Sequence, residues 1–322
     1  MNSTQCVIEP NPDVTGTGIR ASIYTLCLGG TVVSYLLRVL HPGEDEAEFS
    51  RGVSAALGMQ GLALLCTAIY QTFRNDMTLF HAICVIHLLA LLGLDLISKG
   101  RYAGFGPWRL WFFAIIRIVA LGAFIAFNAF LWVTAPHFGS QPECNLDTVY
   151  VVFGVSIKAV SPVFRYIILG TLGVVAGTFV LVYSCLMPCL CVKWVRQRRH
   201  MKKVGLAGQK RSRVRWFVSS SSAENTDDGP PQRLSGQALL NFTINKAAYC
   251  SVCIYLIVSL EQTIQRNTLD SEEEGWTFGQ VIAIFLLLGV GNELLNVILA
   301  SWDRQIRPES NPGLGGTGSS GP

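Results

Sequence analysis

FRYIILGTLGVVAGTFVLVYSCLMPCLCV, residues 164–192, runs directly into KWVRQRRHMKKVGLAGQKRSRVR, residues 193–215. The first stretch carries a single charge, Arg165, near its start and is otherwise apolar or small. At about 1.5 Å rise per residue it exceeds the roughly 20 residues that a helix needs to cross a 30 Å hydrocarbon layer. The second stretch holds ten basic residues and no acidic one. Such a run is retained on the cytoplasmic side of a membrane. Together they predict a membrane-crossing helix whose C-terminal end faces the cytoplasm.

Working outward, six further stretches have the same character: 17–37, 53–73, 79–97, 108–133, 242–260 and 278–301. The composition agrees, with half of the 322 residues apolar and only 14% charged. Mean hydropathy is +0.40, well above that of an ordinary soluble domain. The runs are continuous rather than alternating, and in lipid a helix satisfies its own backbone, so helices are expected in preference to a barrel. The predicted fold class is therefore an all-α, polytopic bundle of seven transmembrane helices. The sixth is the weakest, because Asn245 and Lys246 lie near one end. A competing segment, 149–162, is too short to cross and contains Lys158, and reads as an extracellular or re-entrant piece.

Seven crossings with residues 193–215 inside place the N-terminus outside and the C-terminus in the cytoplasm. This arrangement puts 19 of the 25 basic residues in the cytoplasm, and the inverted one reverses the ratio. The expected organisation is an extracellular tail at 1–16, five helices within 17–192 with an extracellular loop at 134–163, a basic then Ser-rich loop at 193–241, two helices within 242–301, and a cytoplasmic tail at 302–322. Residues 218–237 and the tail from 308 are too polar and too rich in Ser, Gly and Pro to fold alone. The bilayer is the first partner implied. The 193–215 run suits anionic lipid or a cytoplasmic protein, or acts only as a topology determinant. No aromatic platform accompanies it, which argues against nucleic acid. Oligomeric state is not legible. The chain is expected to lie in the plasma membrane or another membrane of the secretory pathway.

Asn2-Ser3-Thr4 matches a glycosylation acceptor on the tail expected outside. Cys6 and Cys144 both fall on segments expected outside, where a disulfide between them is chemically permitted. Cys185, Cys189 and Cys191 sit where a span meets the basic run, a context for S-palmitoylation, although unmodified core thiols fit equally. Within spans, ionisable groups are costly and call for partners. Asp95 and Arg117, at similar depth on neighbouring spans, are the first pair expected, with Glu293 the competing partner for Arg117. On span three His81, His87 and Asp95 share a stripe roughly 120° wide at 100° per residue, which reads as interhelical hydrogen bonding, or else as part of a ligand, proton or metal site. Gln60, Asn128 and Gln280 read as the same kind of glue, and Gly173 to Gly177 with Gly289 and Gly291 predict close helix packing.

The segment Asn11-Pro12-Asp13-Val14-Thr15-Gly16-Thr17-Gly18-Ile19-Arg20, followed by Tyr24, resembles the N-terminal signature of uncharacterised fungal multi-spanning membrane proteins. That resemblance implies a seven-helix membrane fold and carries no activity. Physically, Pro12 and Asp13 set a turn, the glycines ease a helix start, and Arg20 has Asp13 or Glu261 within reach as partners. The last span contains no lysine, which excludes a retinal Schiff base there.

No nucleophile–base set, phosphate loop or metal motif is present, so neither an enzyme nor a cofactor is expected. A receptor-like or sensory protein fits the seven-span, N-out pattern with a long basic cytoplasmic loop. A transporter or channel is the alternative motivated by the intramembrane charges, and an accessory or scaffolding protein is a third.

Overall fold

The computed structural model describes residues 6–40, 44–96, 107–181, 184, 236–270, 272 and 275–306, with side chains outside the description at 40, 44–48, 94–96, 107–114, 238, 300, 301 and 303–306. Of the described residues 81% are helical. Pro12 opens a single turn, α1 (Pro12–Thr15), where a missing N–H costs nothing. Helix α2 (Thr17–Tyr24) continues through a wide turn at Thr25–Gly29 into α3 (Gly30–Leu40). Then follow α4 (Glu44–Arg74), α5 (Leu79–Leu96), α6 (Pro107–Thr134), α7 (Pro162–Leu181), α8 (Gly236–Gln265) and α9 (Phe278–Ile306).

Six stretches are long and apolar enough to cross a membrane: Pro12–Val39, Phe49–Arg74, Ile115–His137, Pro162–Leu181, Leu239–Gln265 and Phe278–Leu299. The expected third span is a shorter apolar helix, Leu79–Gly93, over its described part. It is the centre of the bundle, packed against α1, α2, α4, α6 and α8. Most of its described side chains are buried, Leu79, Ala82, Cys84, Val85, Leu88 and Leu91 wholly so, while Ile86 and Ala90 are partly exposed. A helix apolar all round belongs in such a position. The sixth expected span, weak by sequence, is a 30-residue helix. Its polar Lys246 lies near the end remote from the cap described below, with the ammonium 5.6 Å from the Phe242 ring and Arg38 at 6.0 Å from that ring.

The fold departs from an all-α bundle at one place. Residues 149–158 form a two-stranded antiparallel hairpin, β1 (Val149–Val152) and β2 (Val155–Lys158), pairing Tyr150 with Ile157 and Val152 with Val155. Phe153 and Gly154 turn it, both at positive φ (49° and 79°), the geometry that suits a right-twisted two-residue hairpin. Phe153 accepts this conformation while its ring stacks on Tyr255 of α8 at 4.8 Å.

The glycines read as packing motifs play no such part: a Cβ at Gly173, Gly177, Gly289 or Gly291 would meet nothing within 4 Å among the described residues. Close approach happens elsewhere. A Cβ on Gly30 would lie 2.8 Å from Val53 of α4, and one on Gly18 2.8 Å from Cβ of Gln280. Small-residue spacing marks where backbones are able to meet, but the partner helix decides whether they do.

Candidate functional site

All segments at one end of the bundle are tied into an ordered cap. The N-terminal strand and the α8–α9 loop exchange backbone hydrogen bonds, Ile8 N–H to Thr268 O at 3.0 Å and Asp270 N–H to Ile8 O at 3.2 Å. Gln141 accepts from Glu9 N–H, and Cys6 is joined to Cys144 with Cα atoms 5.6 Å apart. Asn145 donates to the carbonyls of Ala135 and Phe138 and is buried in doing so. Gly139, at φ +77°, passes so close to the Met77 carbonyl that a side chain there would collide with it. Arg165 at the start of α7 donates to Trp132 O and Val133 O at the end of α6.

The hairpin is fastened to α8 by one polar face. Asn267 pairs with both N–H and C=O of Val149, Thr263 accepts from Val151 N–H, and Ser259 donates to Val151 O at 2.5 Å. Ser259 and Thr263 lie one turn apart along one side of α8, and Asn267 follows just past its end. They satisfy the open edge of β1, which a buried or lipid-bathed strand cannot leave bare. From Thr263 to Tyr255 the hairpin follows α8 for about 12 Å at 1.5 Å per residue. On the other side Tyr150 meets His87 (5.2 Å), Trp132 (6.3 Å) and Phe164 (5.3 Å), so one aromatic ring links α5, α6 and α7. Burial pushes the Tyr150 phenol well above its ordinary range, so it stays protonated and neutral.

The most strongly polar constellation is built from the N-terminal signature. Arg20 Nη1 donates to Glu261 Oε1 at 2.5 Å, and Tyr24 Oη donates to the same oxygen at 2.8 Å. Arg20 Nε donates to Thr15 O at 2.7 Å, closing the turn that the signature begins. Of the two partners reachable for Arg20, Glu261 is the one engaged. The Arg20 side chain is only 16% exposed and that of Glu261 32%, so this pair is largely withdrawn from solvent. Beside it, Gln280 accepts from Gly18 N–H at 2.9 Å and donates to Gly275 O at 2.7 Å. Deeper, Gln60 donates to Ser22 Oγ, which donates to Ala283 O, joining α2, α4 and α9. Gln60 and Gln280 thus bridge elements, whereas Asn128 donates to Phe124 O of its own helix.

The other residues singled out by sequence are scattered. His81 bonds Thr78 Oγ1 through Nδ1 at 2.7 Å, at the start of α5. His87 is buried, and among the described residues neither its Nδ1 nor Trp132 Nε1 has a hydrogen-bond partner. Glu293 is exposed and lies against Gly52 of α4. The Asp95 side chain lies outside the described residues, as do Asn2, Cys185, Cys189, Cys191 and the whole 193–215 run. Among the described residues no three His, Cys, Asp or Glu groups are placed to hold a metal ion. The Ser259–Thr263–Asn267 face was the feature sequence reasoning missed; its four-residue spacing was visible, but its purpose depended on a strand more than a hundred residues away.

The site is hence a convergence of the N-terminal signature, α8 and α9 beneath a cap, capable of holding these helices in register. No protein-family model matches the chain, and neither a curated protein nor a solved structure is similar to it.

Proposed function

We propose that the chain is a seven-helix integral membrane protein of receptor-like or sensory type, with the cap and N-terminus outside and residues 193–215 and the C-terminus in the cytoplasm. The central α5 counts as the seventh crossing, shielded from lipid by its neighbours. Three features support the orientation. The disulfide belongs to an oxidising compartment and lies at the cap end. Arg38 and Lys246 gather near the opposite end, as positive-inside retention requires. Helix α7 begins at the cap and runs away from it, and the basic run comes after it in sequence.

The observation that carries the receptor-like reading is where the space is. A cavity of about 320 Å³ opens at the cap end between the ends of α4 and α6, while one near Lys246 is about 10 Å³ and has room for a single water. Around α5 the bundle is packed shut. An outward cavity above a closed core suits ligand sensing better than passage. The transporter alternative keeps Glu293, an exposed carboxylate on an apolar helix, as its motivation. Reconstituted into sealed liposomes, the protein is expected to raise proton, potassium and small-solute flux no higher than protein-free vesicles. Saturable flux lost in Glu293→Gln would overturn the sensory reading in favour of transport.

A further inference from the structure

The first span is wound differently at its middle, where several causes of helix bending coincide. At Thr25–Gly29 the chain takes its wide turn, a π-turn, and the N–H of Gly30 is shared between the carbonyls of Leu26 and Thr25, four and five residues back. Single π-turns inside α-helices are frequent at functional sites and are one of the few causes of a bent helix. The turn ends on the pair Gly29-Gly30, the residue type that supports a helix less than any but proline. Just past it Thr31 Oγ1 donates to Cys27 O and Ser34 Oγ to Gly30 O, both at 2.7 Å, bonds that weaken and bend the ladder they join.

Beside the turn lies the crevice of about 10 Å³, with Thr31 and Ser34 on one side, Ser50 and Ser54 of α4 on another, and Lys246 and Tyr249 of α8 on the third. One water fits it, and the hydroxyls and the ammonium supply the polar partners that a water requires. The turn therefore faces both room and hydrogen-bonding groups, which a changing backbone ladder needs.

The two halves of the span are held by different forces. On the cap side α2 is fixed by directional bonds: Gly18 N–H to Gln280 at 2.9 Å, Ser22 Oγ to Ala283 O at 2.8 Å, and Arg20 and Tyr24 to Glu261. On the far side Thr31 and Ser34 of α3 turn their hydroxyl protons to backbone carbonyls of the same span. There α3 meets its neighbours through Gly30 against Val53 of α4 and through the Tyr35 ring, stacked on Phe242 of α8 at 6.1 Å with a long bond from Thr243 Oγ1 at 3.5 Å. Apolar contact has no preferred direction, so it keeps a helix beside its neighbour without fixing its tilt.

We infer that Thr25–Gly29 is a hydrated pivot: α2 stays locked to α8 and α9 while α3 swings on Gly30 against α4 and α8, a water in the crevice bonding the backbone groups that the moving ladder releases. The pivot needs neither the receptor-like reading nor a particular orientation, since it is built from contacts within the bundle.

The test uses full-length protein in lipid nanodiscs. Spin labels on an encoded ketone amino acid, which spares the native cysteines, are placed at exposed positions with α6 as the common reference: Val39 with Ile115 on the far side of the turn, and Ala21 with Phe130 on the cap side. The Val39–Ile115 distance distribution is expected to be at least about twofold wider than the Ala21–Phe130 one. Amides 25–31 should exchange with deuterium at least about tenfold faster than those of α2 and of residues 79–91. In Gly29→Ala the added Cβ meets Thr25 Cγ2 at an ordinary 3.7 Å, so the variant folds. Alanine supports a helix better by enough to slow that exchange about fivefold, and the wide distribution should narrow with it. Equal widths on the two sides, or amides 25–31 as protected as those of α5, would overturn the pivot in the parent protein alone, whatever the variant does. A width and an exchange rate that Gly29→Ala leaves unchanged would overturn it as well.

Discussion

Glu261→Ala is expected to destabilise the purified protein by about 2–3 kcal/mol, two to three times the worth of a surface ion pair. The substitution removes the one oxygen that accepts from both Arg20 and Tyr24. It leaves a guanidinium that is 16% exposed with Thr15 O and Thr17 Oγ1 as its remaining acceptors among the described residues. Leaving one charge of a withdrawn pair uncompensated costs more than removing both. The double variant Arg20→Met/Glu261→Met should therefore recover much of the loss, with a coupling above about 1 kcal/mol across the cycle. Thermal unfolding in detergent, compared at one scan rate because such unfolding is rarely reversible, gives the readout. Strictly additive effects of the two single substitutions would show that Arg20 and Glu261 act separately.

Loss of the Cys6–Cys144 bond is expected to cost about 2–4 kcal/mol, because it releases a closed loop of 138 residues in sequence separation. Helices that insert independently already restrain the unfolded chain, which keeps the figure below the value for a soluble loop of this length. Cys6→Ser, Cys144→Ser and the double variant should lose the same amount, since all three remove one shared bond. Without it the N-terminal strand keeps the bonds of Ile8 with Thr268 and Asp270, the contacts of Gln141 and the bond from Asn11 to Gln71. Protection of the 6–11 amides from hydrogen exchange should fall while that of α5 is unchanged. An unfolding temperature indifferent to a reductant would count against this role.

How far the molecule is legible in its sequence depends on the range of the information. Continuous apolar runs marked the helices, because spanning length and hydropathy are local properties. Arg20 pointed to Glu261 only as one of two partners, and the choice came from α8 lying beside α2, which no local pattern encodes. The hairpin was seen as a segment too short to cross, yet its strands were not: VYVVFGVSIK lacks an Asn-Gly or Asp-Gly turn, and the edge of β1 is closed by α8 side chains. The glycine spacing of α7 looked like a packing face and meets nothing among the described residues. The cavity at the cap end escaped sequence reading altogether, since Thr72, Asn75, Phe130 and His137 converge only once the cap folds over the helix ends.

The central claim is the membrane arrangement, and tag accessibility tests it most directly. Tags at the N-terminus, within residues 218–235 and at the C-terminus, each in the full-length protein, are scored for antibody or protease access before and after permeabilisation of intact cells or sealed vesicles. The account predicts the N-terminal tag on the face topologically outside the cytoplasm, and the loop and C-terminal tags together on the cytoplasmic face. Both termini on one face, or the 218–235 tag on the same face as the N-terminus, would contradict it.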